Sequence, residues 1–342
     1  MASRVYSSTN NGFPHGELMY ARESLRKGAI SQQEYSRMVE EKVVKIMTLQ
    51  EEFGIDVVTG GAYGWDDIFS PFFNGGVTGL QRDGLIRFFD NNTYYRKPVI
   101  IGRLEHTQSS VKPMVEGVLK HVKEPSKFKA FLPGPYTFAA LSENTFYPNL
   151  NSLISDLAGL LRIELEGILG LGVGYVEVCD PSLGWLDPAK AEELKPVYRE
   201  FLGDNAHRVW FTLPFREPNP SALKMLLGLG DVVVSLDLSS TTLHRGANVN
   251  DNPGWLSSAK TILNGLSSLL GGARVDLGLV DSRNTLLEDV SYAKQIIDHA
   301  LSLHPKEVYL SNNASLDFLP EPVAFEKVRL IGRLKREVNA SG

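Results

Sequence analysis

Short runs rich in β-branched and aromatic residues recur along the whole chain, and segments of helical periodicity separate most of them. Strands of near-continuous apolar character that alternate with helices form a parallel sheet covered on both faces. Eight such units predict a (β/α)8 TIM barrel, with an open doubly wound sheet as the structural alternative. The runs are RVYSST (4–9), IDVVTGG (55–61), FKAFLPG (128–134), YVEVCDP (175–181), RVWFTLP (208–214), VVVSLDL (232–238), VDLGLVD (275–281) and EVYLSNN (307–313).

Helix boundaries are visible in several of the intervening segments. Ser31 is followed three residues later by Glu34, which is the spacing of a capping box, and Gly54 predicts where that helix ends. Further helices are predicted over residues 150–170, 187–202, 253–269 and 286–303.

A ninth apolar run, PVIIGRL (98–104), exceeds the number of barrel strands. Together with residues 85–89 it predicts a β-hairpin inserted between the second and third barrel strands, because this segment has no helical period. The hairpin carries an aromatic cluster, for which a buried core role and a lid or ligand wall are both open. The cluster consists of Phe88, Phe89, Tyr94 and Tyr95.

Composition limits the class of protein. The chain has 342 residues, of which 43% are hydrophobic and 22% charged, and these values are typical of a soluble α/β barrel. The net charge of −5 gives no sign of a nucleic-acid surface. We find no linker, no export signal and no apolar run of about 18 residues, which would be needed to enter a membrane. Residues 1–342 are therefore predicted to form a single cytoplasmic domain.

Polar and aromatic side chains follow most of the predicted strands, where such barrels hold their sites. Asp180 and Asp281 are the candidate catalytic acid or base. Asp180 precedes Pro181 and is equally suited to cap a helix, and an Asp281–Arg283 pair is equally suited to hold its own loop. The candidate ligand-binding residues are Asn11, Trp65, Asp67, Asp90, Tyr94, Asp180, Arg283, Asn284 and Asn313.

Metal-binding residues are scarce. Cys179 is the single cysteine, so this chain cannot form an internal disulfide or a site with two thiolates. Because Cys179 alternates with valines and has no histidine near it in sequence, a core position is favoured over a nucleophile. The seven histidines include no pair at helical i, i+4 spacing, and no metal site is predicted.

Several motifs, taken in order, resemble cobalamin-independent methionine synthase, a family of the methionine synthase and uroporphyrinogen decarboxylase-like superfamily. The opening NNGFPHGELMYARESLRKGAISQQEY (10–35) and LQEEFGIDVV (49–58) resemble the start of either barrel of that enzyme. Later motifs are similar to its N-terminal barrel and favour a stand-alone chain of that kind. These are RFFDNNTYY (87–95), FLPGPYTF (131–138), VEVCDPSL (176–183), LGLVDSRN (277–284) and LSNNASLDFLP (310–320).

The resemblance also shows which groups this chain lacks. In the family's catalytic barrel a His-x-Cys pair, a Glu and a distant Cys hold the zinc ion that activates homocysteine. The corresponding places here read FTLPF (211–215) and NNASL (312–316), so zinc is expected only on a partner barrel and no cofactor on this chain. The family's Asp-Glu pair is replaced by Cys179 and Asp180. His15, Gly16 and Glu17 stand where the N-terminal barrel has basic residues that suit a polyglutamate tail, so a strongly anionic folate tail is not expected to bind here. The methyl donor is left open as folate-like or of another kind.

Three hypotheses follow for function. In the first, the chain is the N-terminal half of a split methionine synthase, and it works with a separately encoded zinc-bearing catalytic barrel in methyl transfer to homocysteine. In the second, it is a divergent, zinc-free enzyme of the same superfamily that uses Asp180 or Asp281. In the third, it is a non-catalytic barrel that binds a small ligand. No nucleic-acid or membrane partner is expected.

Overall fold

The computed structural model describes residues 4–89, 91–243 and 250–341. In chain order its strands are β1 (Val5–Ser7), β2 (Val58–Thr59), β3 (Val77–Arg87), β4 (Tyr94–His106), β5 (Phe128–Pro133), β6 (Glu143–Asn144), β7 (Tyr175–Cys179), β8 (Val209–Thr212), β9 (Val233–Asp237), β10 (Arg274–Val280) and β11 (Glu307–Asn312). Its helices are α1 (Leu18–Arg26), α2 (Gln32–Glu52), α3 (Lys112–Leu119), α4 (Pro135–Ala140), α5 (Leu150–Leu169), α6 (Pro188–Leu202), α7 (Pro220–Leu227), α8 (Ser240–Leu243), α9 (Asn252–Gly265), α10 (Ser267–Leu270), α11 (Val290–Leu301) and α12 (Glu321–Ser341).

Eight parallel strands form one sheet in the order β1, β11, β10, β9, β8, β7, β5, β2. Seven of them lie inside predicted runs, and β10 begins one residue before its run. The two ends of this order meet, since Ser8 forms a parallel bridge with Val57 and Gly12 forms one with Gly61. The predicted TIM-barrel fold is therefore confirmed.

The predicted hairpin is present between the second and third barrel strands. Strands β3 and β4 pair antiparallel, with Leu85 opposite Arg96 and Arg87 opposite Tyr94. Both strands are longer than the apolar runs that predicted them. Most of β3 is exposed and polar, so hydrophobic patterning could identify only its last residues.

The helix predictions agree with the structure where a side chain caps the helix. Ser31 accepts a hydrogen bond from the backbone N of Glu34 at 3.1 Å, and Gly54 ends that helix with a φ of +71°. Helix α11 begins at Val290, later than residue 286, because the carboxylate of Asp289 caps it there. The segment predicted over 253–269 is divided between α9 and α10.

The main hydrophobic core lies between the barrel strands and the surrounding helices. Helix α5 contributes Leu157, Leu161 and Leu165, all of which are buried. Fully burying one such leucine stabilises the fold by roughly 1.5–3 kcal/mol. Across 4–89, 91–243 and 250–341, no helix combines the length and the hydropathy needed to cross a membrane.

Candidate functional site

A cavity of about 340 Å³ opens at the carboxyl ends of the barrel strands. Its floor includes Phe131 near the end of β5 and Cys179 at the end of β7, and Phe215 follows β8. The hairpin supplies another wall through Phe88 and Tyr95. A cavity of this volume, whose lining combines aromatic rings with polar side chains, is typical of a small-molecule site.

Aromatic rings form two groups in the lining. Trp65 and Phe131 lie 5.1 Å apart, measured between ring centroids. In the second group Phe215 contacts both Phe88, at 5.8 Å, and Phe318, at 6.0 Å. These rings come from five different loops and strands, so the barrel topology brings together residues that are far apart in sequence.

The tip of the hairpin rests against loops that follow later strands. Phe89 stacks on Trp185 with centroids 5.4 Å apart and contacts Phe215 at 5.5 Å. Phe89 and Phe215 both have left-handed backbones, with φ of +50° and +77°. Each bulky residue in this region costs on the order of 1–3 kcal/mol, and such strain concentrates at ligand sites.

Asn11 supplies a hydrogen-bond donor at the cavity. Its backbone N donates to Glu177 Oε2 at 3.0 Å, which fixes the residue at the end of β1. The side chain lines the cavity, and the residue is only 6% exposed. Within the described residues its buried Nδ2 has no hydrogen-bond partner. A ligand with an acceptor group would satisfy this donor.

Two basic side chains line the cavity, and neither offers it a free positive charge. Burial and the nearby Arg22 guanidinium lower the pKa of His15 to about 4, so its imidazole is neutral at pH 7. The guanidinium of Arg22 forms an ion pair with Asp66 and donates to the carbonyl oxygen of Trp65 at 3.3 Å. Arg22 is therefore ion-paired, although Asp66 shares its carboxylate with Arg26, which pairs with it at 2.8 Å.

Asp67 is a half-buried carboxylate that links the loop after β2 to the hairpin. It accepts hydrogen bonds from the backbone N of Phe69 at 2.8 Å and of Arg96 at 2.9 Å. Burial raises the pKa of Asp67, and these two hydrogen bonds oppose that shift. Asp67 therefore both lines the cavity and positions the hairpin.

A cluster of buried charged groups lies inside the barrel. The Nζ of Lys129 is 3.5 Å from Glu177 Oε2 and 3.9 Å from the centroid of the Trp210 ring. Asp276 accepts hydrogen bonds from Asn10 Nδ2 at 2.8 Å and from Trp210 Nε1 at 3.2 Å. Burial lowers the pKa of Lys129 and raises the pKa of Glu177 and of Asp276. Through Glu177 and the backbone of Asn11, this cluster supports the floor of the cavity.

Cys179, which we expected to face the core, is buried and also lines the cavity. Burial, together with the negative charge of Glu177, raises the pKa of its thiol well above the usual range. Cys179 is therefore a neutral thiol at pH 7, which is a poor nucleophile and a poor metal ligand.

The cavity brings together four of the predicted ligand-binding residues, namely Asn11, Trp65, Asp67 and Tyr94. Other predicted residues are absent from its lining. Asp90, like His244, falls outside the described residues. The predicted residues that do not line the cavity are Asp180, Asp281, Arg283, Asn284 and Asn313.

Asp180 caps a helix, which was the alternative to a catalytic role. It accepts a hydrogen bond from the backbone N of Thr137 at 2.7 Å, in the first turn of α4, and another from the hydroxyl of Tyr198. Burial raises the pKa of Asp180 to about 6, although both hydrogen bonds oppose the shift.

The polar residues after β10 and β11 hold loops together. Asp281 accepts hydrogen bonds from the backbone N of Thr241 at 3.0 Å and of Arg283 at 2.9 Å. Asn313 donates to Asp237 Oδ1 at 3.1 Å. The Oδ1 of Asn284 accepts from the backbone N of Leu286 at 3.0 Å, within its own loop.

Several of the lining residues were not predicted from the sequence. His15 and Arg22 lie before and within α1, away from the strand ends where such barrels hold their sites. Phe131, Phe215 and Phe318 are apolar, and apolar residues near strands are typical of the core. The signal that was available for Phe215 is its position in FTLPF, where the resembling family has its His-x-Cys pair.

The chemistry of the cavity does not fit the zinc ion that the resemblance raises. Thr212 in FTLPF donates to Glu177 Oε1 at 3.0 Å, and Phe215 packs against other rings. In NNASL, Asn312 donates to the backbone oxygen of Asn10 at 2.9 Å. In the ranges that the structure describes, no three His, Cys, Asp or Glu side chains are grouped to hold a metal ion.

Comparison with known sequences gives consistent matches. A family model described as "Cobalamin-independent synthase, Catalytic domain" matches residues 9–202. It is thus the catalytic-domain model, rather than one of the N-terminal barrel that the later motifs favoured. A methionine synthase from Sulfolobus acidocaldarius is 22% identical over 311 residues, which are 89% of this chain and 83% of that protein. One from Pyrococcus furiosus is 22% identical over 325 residues, covering 92% and 88%.

Comparison with solved structures supports the fold. A B12-independent methionine synthase from Shewanella sp. W3-18-1, solved with selenomethionine, superimposes with a TM-score of 0.73 over 98% of each chain, at 14% identity. A methyltransferase from Methanosarcina mazei superimposes with a TM-score of 0.58, at 14% identity, over 99% of this chain and 94% of that one. At these identities the likeness concerns the fold alone.

Proposed function

This chain belongs to the cobalamin-independent synthase family, and we propose that it takes part in methyl transfer to homocysteine in methionine biosynthesis. The proposal is supported by the family match over residues 9–202 and by relatives called methionine synthase, which align along most of the chain. In this reaction the sulfur of homocysteine attacks the methyl carbon, and the donor leaves with the electron pair of the broken bond.

The proposal that two barrels share this reaction rests on one observation, namely a cavity that has no zinc ligands. The cavity has aromatic walls and the unpaired donor of Asn11, whereas FTLPF and NNASL supply no thiolate or imidazole. We therefore assign the methyl donor to this chain. The zinc ion and homocysteine are assigned to a separately encoded catalytic barrel, with this chain acting as the other half of a split enzyme.

A second candidate function needs no second barrel. The Sulfolobus and Pyrococcus relatives are matched over 83% and 88% of their own lengths, so each is itself about the size of one barrel. This observation favours a zinc-free enzyme or ligand-binding barrel that works alone in the same superfamily. The two candidates differ in whether this chain turns over without a partner.

An assay of methyl transfer separates these candidates. It is run on the purified chain, on a zinc-bearing barrel from the same organism and on their mixture. The assay follows a labelled methyl group into methionine by mass spectrometry, with a folate and a non-folate methyl donor in parallel. We expect methionine above the level of the zinc barrel alone only in the mixture. Full activity of this chain alone would reject the split enzyme, and no gain in the mixture with either donor would reject a role in methyl transfer.

A further inference from the structure

The cavity combines aromatic walls, carboxylates and one unpaired donor, and we propose that it binds a small methylated onium carboxylate. This class consists of quaternary ammonium or sulfonium cations that carry a carboxylate a few bonds away. The inference rests on the proposed function only in that the onium would be the methyl donor. Binding itself is argued from the lining.

The aromatic rings provide the surface that an onium group needs. Methylated cations are bound by the electron-rich faces of aromatic rings within about 6 Å, because their charge is diffuse and weakly hydrated. Trp65 and Phe131 form one group of rings, and Phe88 and Phe318 form another around Phe215. The guanidinium of Arg283 already lies 5.7 Å from the centroid of the Phe215 ring, so Phe88 and Phe318 are the rings of this group that we assign to the ligand. Apolar walls also suit the methyl groups that surround such a cation.

The charges of the lining favour a cation over an anion. Among the described lining residues, Arg22 is the one side chain that is positive at pH 7, and it is ion-paired with Asp66, which also pairs with Arg26. Asp67 adds a half-buried carboxylate, and Asp317 adds an exposed one at the rim. His15 is neutral because burial holds its pKa near 4. A polyanionic tail would meet the carboxylates of Asp67 and Asp317 here, and the guanidinium of Arg22 is already ion-paired.

Asn11 explains why the ligand carries an acceptor as well as a cation. The buried Nδ2 of Asn11 has no partner within the described residues, and leaving such a donor unpaired costs about 1–3 kcal/mol. One carboxylate oxygen on the ligand would accept this hydrogen bond while the onium lies against the rings. A zwitterion with both groups therefore fits the lining better than a simple tetraalkylammonium ion.

Calorimetry with an isosteric pair of probes tests the inference. Trimethylglycine and 3,3-dimethylbutanoate have the same shape and the same carboxylate, but carbon replaces the positive nitrogen in the second. We expect trimethylglycine to bind at least about tenfold more tightly. Equal or tighter binding of 3,3-dimethylbutanoate, which lacks the positive charge, or no binding of any onium probe, would overturn the proposal. Dimethylsulfonioacetate as a third probe shows whether ammonium or sulfonium is preferred.

Ring variants test whether the cavity is the place of binding. Phe88→Leu and Phe318→Leu replace half-buried rings, so the fold should tolerate them. Each should weaken onium binding by about three- to tenfold and affect the isostere less. Phe146→Leu is the matched control, because Phe146 is 52% exposed and does not line the cavity. Onium affinity that is unchanged in both cavity variants, or lowered equally by the control, would contradict the proposal.

The proposed methyl transfer and the proposed onium binding can fail separately. Calorimetry is done without homocysteine or any partner protein, so a failure to bind onium probes leaves methyl transfer from another donor intact. Conversely, onium binding without methionine formation in the mixing experiment would remove the role in methyl transfer and leave the binding site.

Discussion

The backbone N–H of Thr137 donates to the carboxylate of Asp180 at 2.7 Å, so a fully buried acid on the loop after β7 caps helix α4. Tyr198, on α6, donates its hydroxyl to the same carboxylate. Asp180 therefore connects three segments that are distant in sequence. This engagement accounts for its absence from the cavity wall.

Asp180 should make stability depend on pH in a known direction. Its folded pKa of about 6 lies above the usual unfolded value near 3.9, so the folded state binds the proton more tightly. The stabilisation is complete below about pH 4 and is lost as the pH rises through 6, by about 3 kcal/mol. The Asp180→Asn variant cannot titrate. Urea unfolding gives the free energy of unfolding of the wild type and of the variant at each pH. The wild-type value minus the variant value should fall as the pH rises from 4 to 7, and a constant difference would contradict the prediction.

His15 should stay neutral throughout the physiological range. Its pKa of about 4, caused chiefly by burial, lies below the unfolded value of about 6.5. The stability that its neutral form contributes is therefore present above pH 6.5 and is lost as the pH falls towards 4. Proton NMR of the imidazole, assigned by comparison with His15→Asn, should give a midpoint near 4. A midpoint at or above 6 would show an open, solvated cavity mouth.

Removing the charge of Lys129 should destabilise the barrel strongly. The Lys129→Met variant leaves Glu177 and Asp276 buried without their cation, a change that typically costs about 3–5 kcal/mol. Adding Glu177→Gln should recover part of the loss, because one buried carboxylate is then removed. Urea unfolding measures both effects. The control is Lys294→Met, since Lys294 pairs with Asp298 on an exposed helix surface and should matter by less than about 1 kcal/mol.

The purified chain should contain no stoichiometric zinc. The places of the family's thiolate and imidazole ligands are FTLPF and NNASL, and Cys179 is a neutral, buried thiol. Elemental analysis after expression with added zinc should give well below one ion per chain. Treatment with a chelator should leave the melting temperature unchanged. One tightly held zinc ion per chain would reject the proposed division of labour between two barrels.

The fold was predictable because its signals are local. Each barrel strand is a short apolar run, and caps such as Ser31 act within one helical turn. The bridge between Ser8 and Val57 closes the barrel, and no separate sequence motif is needed to predict it. Eight parallel strands of this kind have few other stable arrangements. Strand β3 was only partly visible, since an exposed hairpin strand has no buried face to impose alternation.

The site was predictable only in part. Asn11 and Asp180 both follow barrel strands and both are buried, and nothing in their neighbouring sequence distinguishes a free donor from an occupied acceptor. The partner of Asp180, Thr137, lies 43 residues away, so its capping role depends on the tertiary structure. Phe215 was missed for the opposite reason, because an apolar residue after a strand is ordinarily read as core.

The ring contacts of the hairpin tip link occupancy of the cavity to the attachment of the hairpin. Phe88 and Phe89 hold the tip against Phe215, and Phe88 and Phe215 also line the cavity. A molecule that packs against Phe88 and Phe215 therefore adds to the energy that keeps the tip in place. Occupancy of this barrel is thus coupled to a segment that lies outside the barrel's own strands.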